Sequence, residues 1–138
     1  EAVGIADGSL FIYGDDTEYT YRISRVKNIF LIKEAVIEHQ DPPVVNNYMQ
    51  PKVWWKEYYR IRNRFFLYQE FHKNPAKRLL ARLCMSGMTI KLIVAAIIKP
   101  KYRCHRKLRL WILAKALADG SLNKRGRQVD PVNYMTLL

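Results

Sequence analysis

Apolar positions fall into short runs over the first third of the chain and recur at helical spacing over the rest. The run SLFIYG at residues 9–14 is closed by glycine and reads as a buried strand. Residues 15–26, DDTEYTYRISRV, change period: Tyr19, Ile23 and Val26 share one helical face, and Glu18, Arg22 and Arg25 another. NIFLI and EAVIEH, within residues 28–39, are rich in Ile, Val and Phe and read as one long strand or a broken pair. QDPPVVNN at residues 40–47 interrupts the pattern, because adjacent prolines cannot continue a ladder. The predicted division is therefore residues 1–45 and residues 46–138.

From Pro51 onward the pattern is helical. KVWWKEYYRIRNRFFLYQEFH places Trp54, Tyr58, Ile61, Phe65 and Tyr68 on one stripe. Asn74 reads as an N-cap with Pro75 at the first helical position, opening a helix that runs to about Lys99, where Pro100 ends it. A third helix is predicted over residues 102–118, with Gly120 near its C-cap. The expected class is α+β, mostly helical: two or three short strands before Pro42, then three long helices.

Charge sharpens this division. The 138 residues carry a net charge of +12, spread unevenly. Residues 1–50 hold eight acids and four bases, and the remainder holds four acids and twenty bases. The second part is thus built to face something anionic: nucleic acid, a nucleotide diphosphate or an anionic membrane surface. Cys84 and Cys104 make a poor disulfide framework and read as reduced core or interfacial residues, as in a cytosolic protein. No basic-then-apolar leader opens the chain, which starts without methionine, so a piece of a longer protein is expected.

Four places carry candidate chemistry. Asp-x-x-Glu ahead of an amphipathic helix is a capping box, with Asp15 as N-cap and Glu18 three residues on. That leaves Asp16 unexplained, and a carboxylate at the end of a strand in an α/β sheet sits where ligands bind and can deprotonate a hydroxyl. His39 closes the next strand pattern; taken alone it reads as a surface residue, as do His72 and His105, and no Cys/His spacing matches a zinc site. The stretch from Trp54 to Phe66 interleaves aromatics with Arg60, Arg62 and Arg64. It suits stacking on bases or sugars, or else an amphipathic helix with a buried aromatic face. Residues 79–98 are apolar but include Arg82 and Lys91, which favours a buried or membrane-surface helix over a span.

The order of these pieces resembles the C-terminal half of family 2 glycosyltransferases, closest to rhamnosyltransferase- and galactofuranosyltransferase-like enzymes of cell-surface polysaccharide synthesis. The resemblance rests on GIADGSLFIYGDDTEYTYRISR, on His39 closing KNIFLIKEAVIEH, on WWKEYYRIRNRF and on ALADGSLNKRGR. It implies the remnant of a GT-A mixed sheet in residues 1–45 and a helical, basic extension in residues 46–138. It implies that Asp16 is the catalytic base of an inverting transfer, that Asp15 places the acceptor, and that Glu18 and Arg22 support them. His39 matches the histidine that helps hold a divalent metal, Mn²⁺ or Mg²⁺, on the nucleotide diphosphate. Trp54, Trp55, Tyr58, Tyr59, Arg62 and Asn63 match the aromatic and Arg-Asn segment on the acceptor side. The implied partners are a nucleotide-sugar donor, a glycan or lipid-linked glycan acceptor and an anionic membrane surface, without nucleic acid; a homo-oligomer is compatible. The implied location is cytoplasmic, peripheral to the inner face of the plasma membrane. The family's nucleotide-binding half, with its Asp-x-Asp motif, is not in these residues, so the fragment alone is expected to be inactive. The alternative expectation is a basic, aromatic-rich nucleic-acid-binding module over residues 51–127.

Overall fold

The computed structural model describes residues 3–38, residue 40 and residues 50–137. Four α-helices organise them: α1 (Asp15–Ser24), α2 (Trp54–Phe71), α3 (Pro75–Ile98) and α4 (Arg106–Ser121). Short 3-10 turns flank them at Gly8–Leu10, Pro51–Val53, Pro100–His105 and Tyr134–Leu137. The chain is mostly helical, and among the described residues none lies in a strand.

Helices α2, α3 and α4 pack on one another as a three-helix body. The start of α3 follows from its sequence. Asn74 has extended backbone and its side chain accepts from the Ala76 amide at 2.8 Å, while Pro75 takes the first turn, where its missing N–H is not needed. The helix ends at Ile98, because Lys99 precedes Pro100 and is pushed to extended geometry. Helix α4 begins at Arg106, four residues later than the sequence pattern, since residues 100–105 form the tighter 3-10 turn. At its other end α4 runs three residues past the expected residue 118, to Ser121, so Gly120 is near the C-cap as expected but inside the last turn. A Cβ there would stand 2.6 Å from the Phe65 ring, so glycine is what lets α4 approach α2 closely.

Helix α2 explains the abundance of aromatics. It is buried on two sides. Trp54, Tyr58 and Phe65 face α4 and the turn before it, while Tyr59, Arg62 and Phe66 face the N-terminal loop and the C-terminal tail. Val129 and Tyr134 of that tail are buried, and Tyr134 donates to the Pro51 carbonyl.

Among the described residues the expected strands are not there. Residues 9–14 leave a 3-10 turn, whose N-cap Asp7 accepts from the Ser9 amide at 2.9 Å, and bend sharply. Phe11 (φ 66°), Tyr13 (φ 64°) and Gly14 (φ 92°) all have left-handed backbone, which no strand tolerates. Residues 28–38 carry no strand either, and Ile29, Phe30, Leu31, Ile32, Val36 and Ile37 are exposed. Cys84 and Cys104 are free and exposed, not core. The boundary expected around residues 41–47 lies outside the described residues. Among the described residues the N-terminal piece has no separate core, since Leu10 joins the main apolar cluster.

Candidate functional site

The site is organised around α2. Arg62 and Asn63 are both buried in its middle, and every polar group they carry must find a partner. Arg62 Nε donates to Asn63 Oδ1 at 2.9 Å, Nη2 to the Leu10 carbonyl at 3.1 Å, and Nη1 to the Gly126 carbonyl. Its guanidinium carbon lies 4.7 Å from the Tyr59 ring centre, 5.5 Å from Phe66 and 5.6 Å from Tyr58. Asn63 Nδ2 donates to the carbonyls of Leu10 (3.0 Å), Ile12 (2.8 Å) and Tyr13 (2.7 Å). The pair therefore grips the bent backbone just ahead of the two aspartates. Side chains replace the neighbouring strand that would otherwise satisfy those carbonyls.

Gly14, in left-handed geometry, is the N-cap of α1, with no side-chain cap bond. This corrects the capping box: Asp15 occupies the first helical turn instead of capping it. Asp15 and Asp16 are exposed, and Asp16 Oδ1 accepts from the Thr17 amide at 2.7 Å. With Glu18 they place three carboxylates in the first turn, where the exposed amides and the helix dipole favour negative charge. Gly14 and Thr17 line a cavity of about 170 Å³ whose other wall carries Arg60, Asn63, Arg64 and Leu67. Exposed carboxylates beside such a basic cleft can accept hydrogen bonds from hydroxyls and take up a proton, with anionic groups held opposite.

Glu18 is not part of that cleft, and its carboxylate does not reach back to α1's entrance. It ion-pairs with Arg22 at 2.5 Å, one turn on, and the two line a different depression of about 330 Å³ with Asp7, Glu70 and Arg125. Arg22 also donates to the carbonyls of Ile5, at 2.8 Å, and Val3. Arg125 closes this side by bonding Asp7 at 2.8 Å and Glu70 at 3.2 Å. The hydrogen bond from Ser9, together with Arg125, outweighs burial and holds the Asp7 carboxyl below the ordinary carboxylate range.

The remaining expected site residues point elsewhere. Trp54 is buried against Tyr102 and His105, and Trp55 packs edge-on to Tyr59. Tyr59 donates to the Val129 carbonyl at 2.7 Å. Tyr58 donates to Asp119 Oδ2 at 2.7 Å. The aromatic–arginine interleaving that suggested stacking on bases or sugars is thus largely consumed in the core. His39 lies outside the described residues. Among the described residues no group of three or more His, Cys, Asp or Glu side chains could hold a metal.

Two buried polar networks escaped sequence reasoning. Asp119 accepts from Tyr58 and pairs with Lys115 at 2.9 Å and Lys124 at 3.6 Å. Burial pushes its pKa up, but those partners outweigh it and hold the carboxyl below 3.8. Burial, the bond to Asp119 and its charge push the Tyr58 hydroxyl well above its ordinary range. Arg109 makes a two-pronged pair with Glu57, one arm at 2.7 Å, and sits 5.0 Å from the Trp54 ring centre. An acid or base inside an apolar helical run, as in RLWILAKALAD, was the available signal. No protein-family model, curated protein or solved structure matches the chain.

Proposed function

We propose that the chain is the C-terminal part of a nucleotide-sugar-dependent glycosyltransferase of the family 2, GT-A type, acting on a hydroxyl of a glycan or lipid-linked glycan with inversion. One observation carries the reading. The two adjacent carboxylates stand exposed at a helix start, and the backbone that delivers them is held by the Arg62–Asn63 pair, which the same resemblance singles out. A capped surface helix would not need that investment of two buried polar side chains. Asp16 takes the acceptor proton, an effect typically worth about 10²–10⁴ in rate. Asp15 orients the acceptor hydroxyl. Arg62 and Asn63 act through the loop, as positioning residues; Glu18 and Arg22 stiffen α1 from its other side. The exposed apolar run at residues 29–32 would complete a sheet with the nucleotide-binding half. A metal would need His39 and groups from that half; the described residues do not compose a site.

The test is Asp16→Asn in the full-length transferase. Sugar transfer should fall by about 10² or more, while nucleotide-sugar binding, followed by calorimetry, stays within a few-fold. Equal loss of both would remove Asp16 from the role of base, and full retention of transfer would reject the site.

A further inference from the structure

Helix α3 differs from its neighbours in what it leaves uncovered. Its inner side sets Thr89 and Ala96 into the body, with Met85 and Ile93 packed beside them. Its outer side repeats apolar residues at spacings of three, four and seven: Leu80, Leu83, Ile90, Val94 and Ile98, each between 45% and 70% exposed. Gly87 fills the gap in that stripe and Lys91 is its one charge. A solvated helix carries polar residues on its outer face; this one is apolar on both sides. The stripe continues into a cavity of about 490 Å³ between α2 and α3, lined by Tyr68, Leu80, Ala81 and Met85 with Lys77. The charge around it has one sign. Residues 72–118 contain twelve Lys and Arg and no Asp or Glu.

We infer that α3 lies in the plane of an anionic membrane surface. Its outer stripe enters the headgroup–acyl boundary, and the exposed bases at its two ends, Lys73 and Lys77 on one side and Lys99, Lys101 and Arg103 on the other, meet lipid phosphates. By length and composition α3 is also apolar enough to cross a membrane. Crossing is disfavoured because α3 packs on α2 and α4, which would carry Arg64, Glu70 and Lys107, all exposed, into hydrocarbon. A second copy of the chain is a poor occupant, because like charges would meet across the contact. Four bases on this segment are engaged elsewhere: Arg109 is buried on Glu57, Lys115 pairs with Asp119 at 2.9 Å, Arg82 donates to the Ser121 carbonyl at 2.7 Å and Arg78 to the His72 carbonyl. The inference stands apart from the transferase reading. Vesicle binding without transfer leaves it intact, and transfer without vesicle binding removes it alone.

The experiment is co-sedimentation of the 138-residue chain with phosphatidylcholine vesicles, with and without phosphatidylserine, at low and moderate salt. Binding should require the anionic lipid and weaken with salt. Lys99→Gln/Lys101→Gln/Arg103→Gln should weaken it about a hundredfold, at about fivefold per base. Leu83→Ser/Val94→Ser, on an exposed face where circular dichroism should stay unchanged, should weaken it more than about tenfold. No sedimentation of the wild-type chain at low salt overturns the inference. So does a serine variant that binds like wild type, which would mean adsorption without insertion, or a dimer that this variant dissociates while vesicles go unbound.

Discussion

Residues 8–24 and the body formed by α2, α3 and α4 are held by opposite means. In the body, backbone groups pair within each helix and apolar side chains fill the space between them: Phe65, Leu108, Ile112, Leu113 and Ala116 are all buried. In the N-terminal piece Leu10 is the one buried apolar side chain, and α1 buries none. What fixes it is a set of side-chain donors reaching from α2 to the carbonyls of Leu10, Ile12 and Tyr13. The body is stabilised by area, the N-terminal piece by a few directional bonds. Directional bonds give a precise backbone path and little cooperativity, which suits a segment that must present two carboxylates.

That difference can be broken at adjacent residues. Arg62 touches both regions: it bonds the N-terminal loop and the tail while lying among Tyr58, Tyr59 and Phe66. Arg62→Leu takes the side-chain donor from the Gly126 carbonyl and from Asn63 Oδ1 and one of the donors from the Leu10 carbonyl, and it should cost about 3–4 kcal/mol of global stability in urea unfolding. Asn63 serves only the loop and Arg62. Asn63→Leu should cost about 1–3 kcal/mol, felt locally. By amide exchange, residues 8–24 should lose protection while the interiors of α2 and α4 keep theirs. Uniform loss of protection after Asn63→Leu would show one cooperative unit and end the comparison.

Acid should act next, and mainly on the body. The Asp119 carboxyl is held below 3.8 in the folded chain. A depressed carboxylate contributes stability that is present above its unfolded value and lost as pH falls through its folded value. Stability should therefore be level from neutral pH down to about pH 4 and decline below it. Asp119→Asn should lose that contribution at neutral pH and flatten the decline, as read from the unfolding midpoint at several pH values. An unchanged acid slope in the variant would take Asp119 out of the account. Asp7, lowered by Ser9 and Arg125, adds a second decline of the same sign in the N-terminal piece.

The same contrast decides what was legible in the sequence. Helix boundaries set by neighbours in the chain were readable: Asn74 and Pro75 open α3, and Pro100 closes it. The aromatic stripe was readable as core over Trp54, Tyr58, Ile61 and Phe65, though Tyr68 is exposed. The second buried side of α2 was not, because what covers it comes from residues about fifty positions earlier and sixty to seventy later. Residues 9–14 have the composition of a strand, yet their carbonyls go to Arg62 and Asn63, and Phe11 and Tyr13 turn left-handed. Tertiary donors overrode local preference. The acidic cluster was visible and its position at the start of α1 was right; the cap itself fell to Gly14, one residue earlier. Arg109 belongs to the basic part of the chain expected to face something anionic, yet it is a core residue, because charge alone in a sequence does not say which bases find a buried acid.

The smallest effect expected is also the most telling about residues 26–38. Phe30 and Leu31 are 80% and 86% exposed, so polar substitution removes almost no contact within the chain. Phe30→Ser/Leu31→Ser should shift stability by less than about 0.5 kcal/mol, against the several kcal/mol expected for a buried aromatic in α2. An exposed run of Ile, Phe, Leu and Ile costs solubility and needs a partner to explain it. Under the transferase reading that partner is the nucleotide-binding half, onto which this run would pair. Mixed with that half expressed separately, the double variant should bind at least about tenfold more weakly than wild type while its own unfolding midpoint is unmoved. Stability that drops with the substitution would mean these side chains already pack on the chain. Stability and binding that are both unmoved would leave the run without a role in assembly, and would take from the transferase reading the apolar run on which it has the two halves meet.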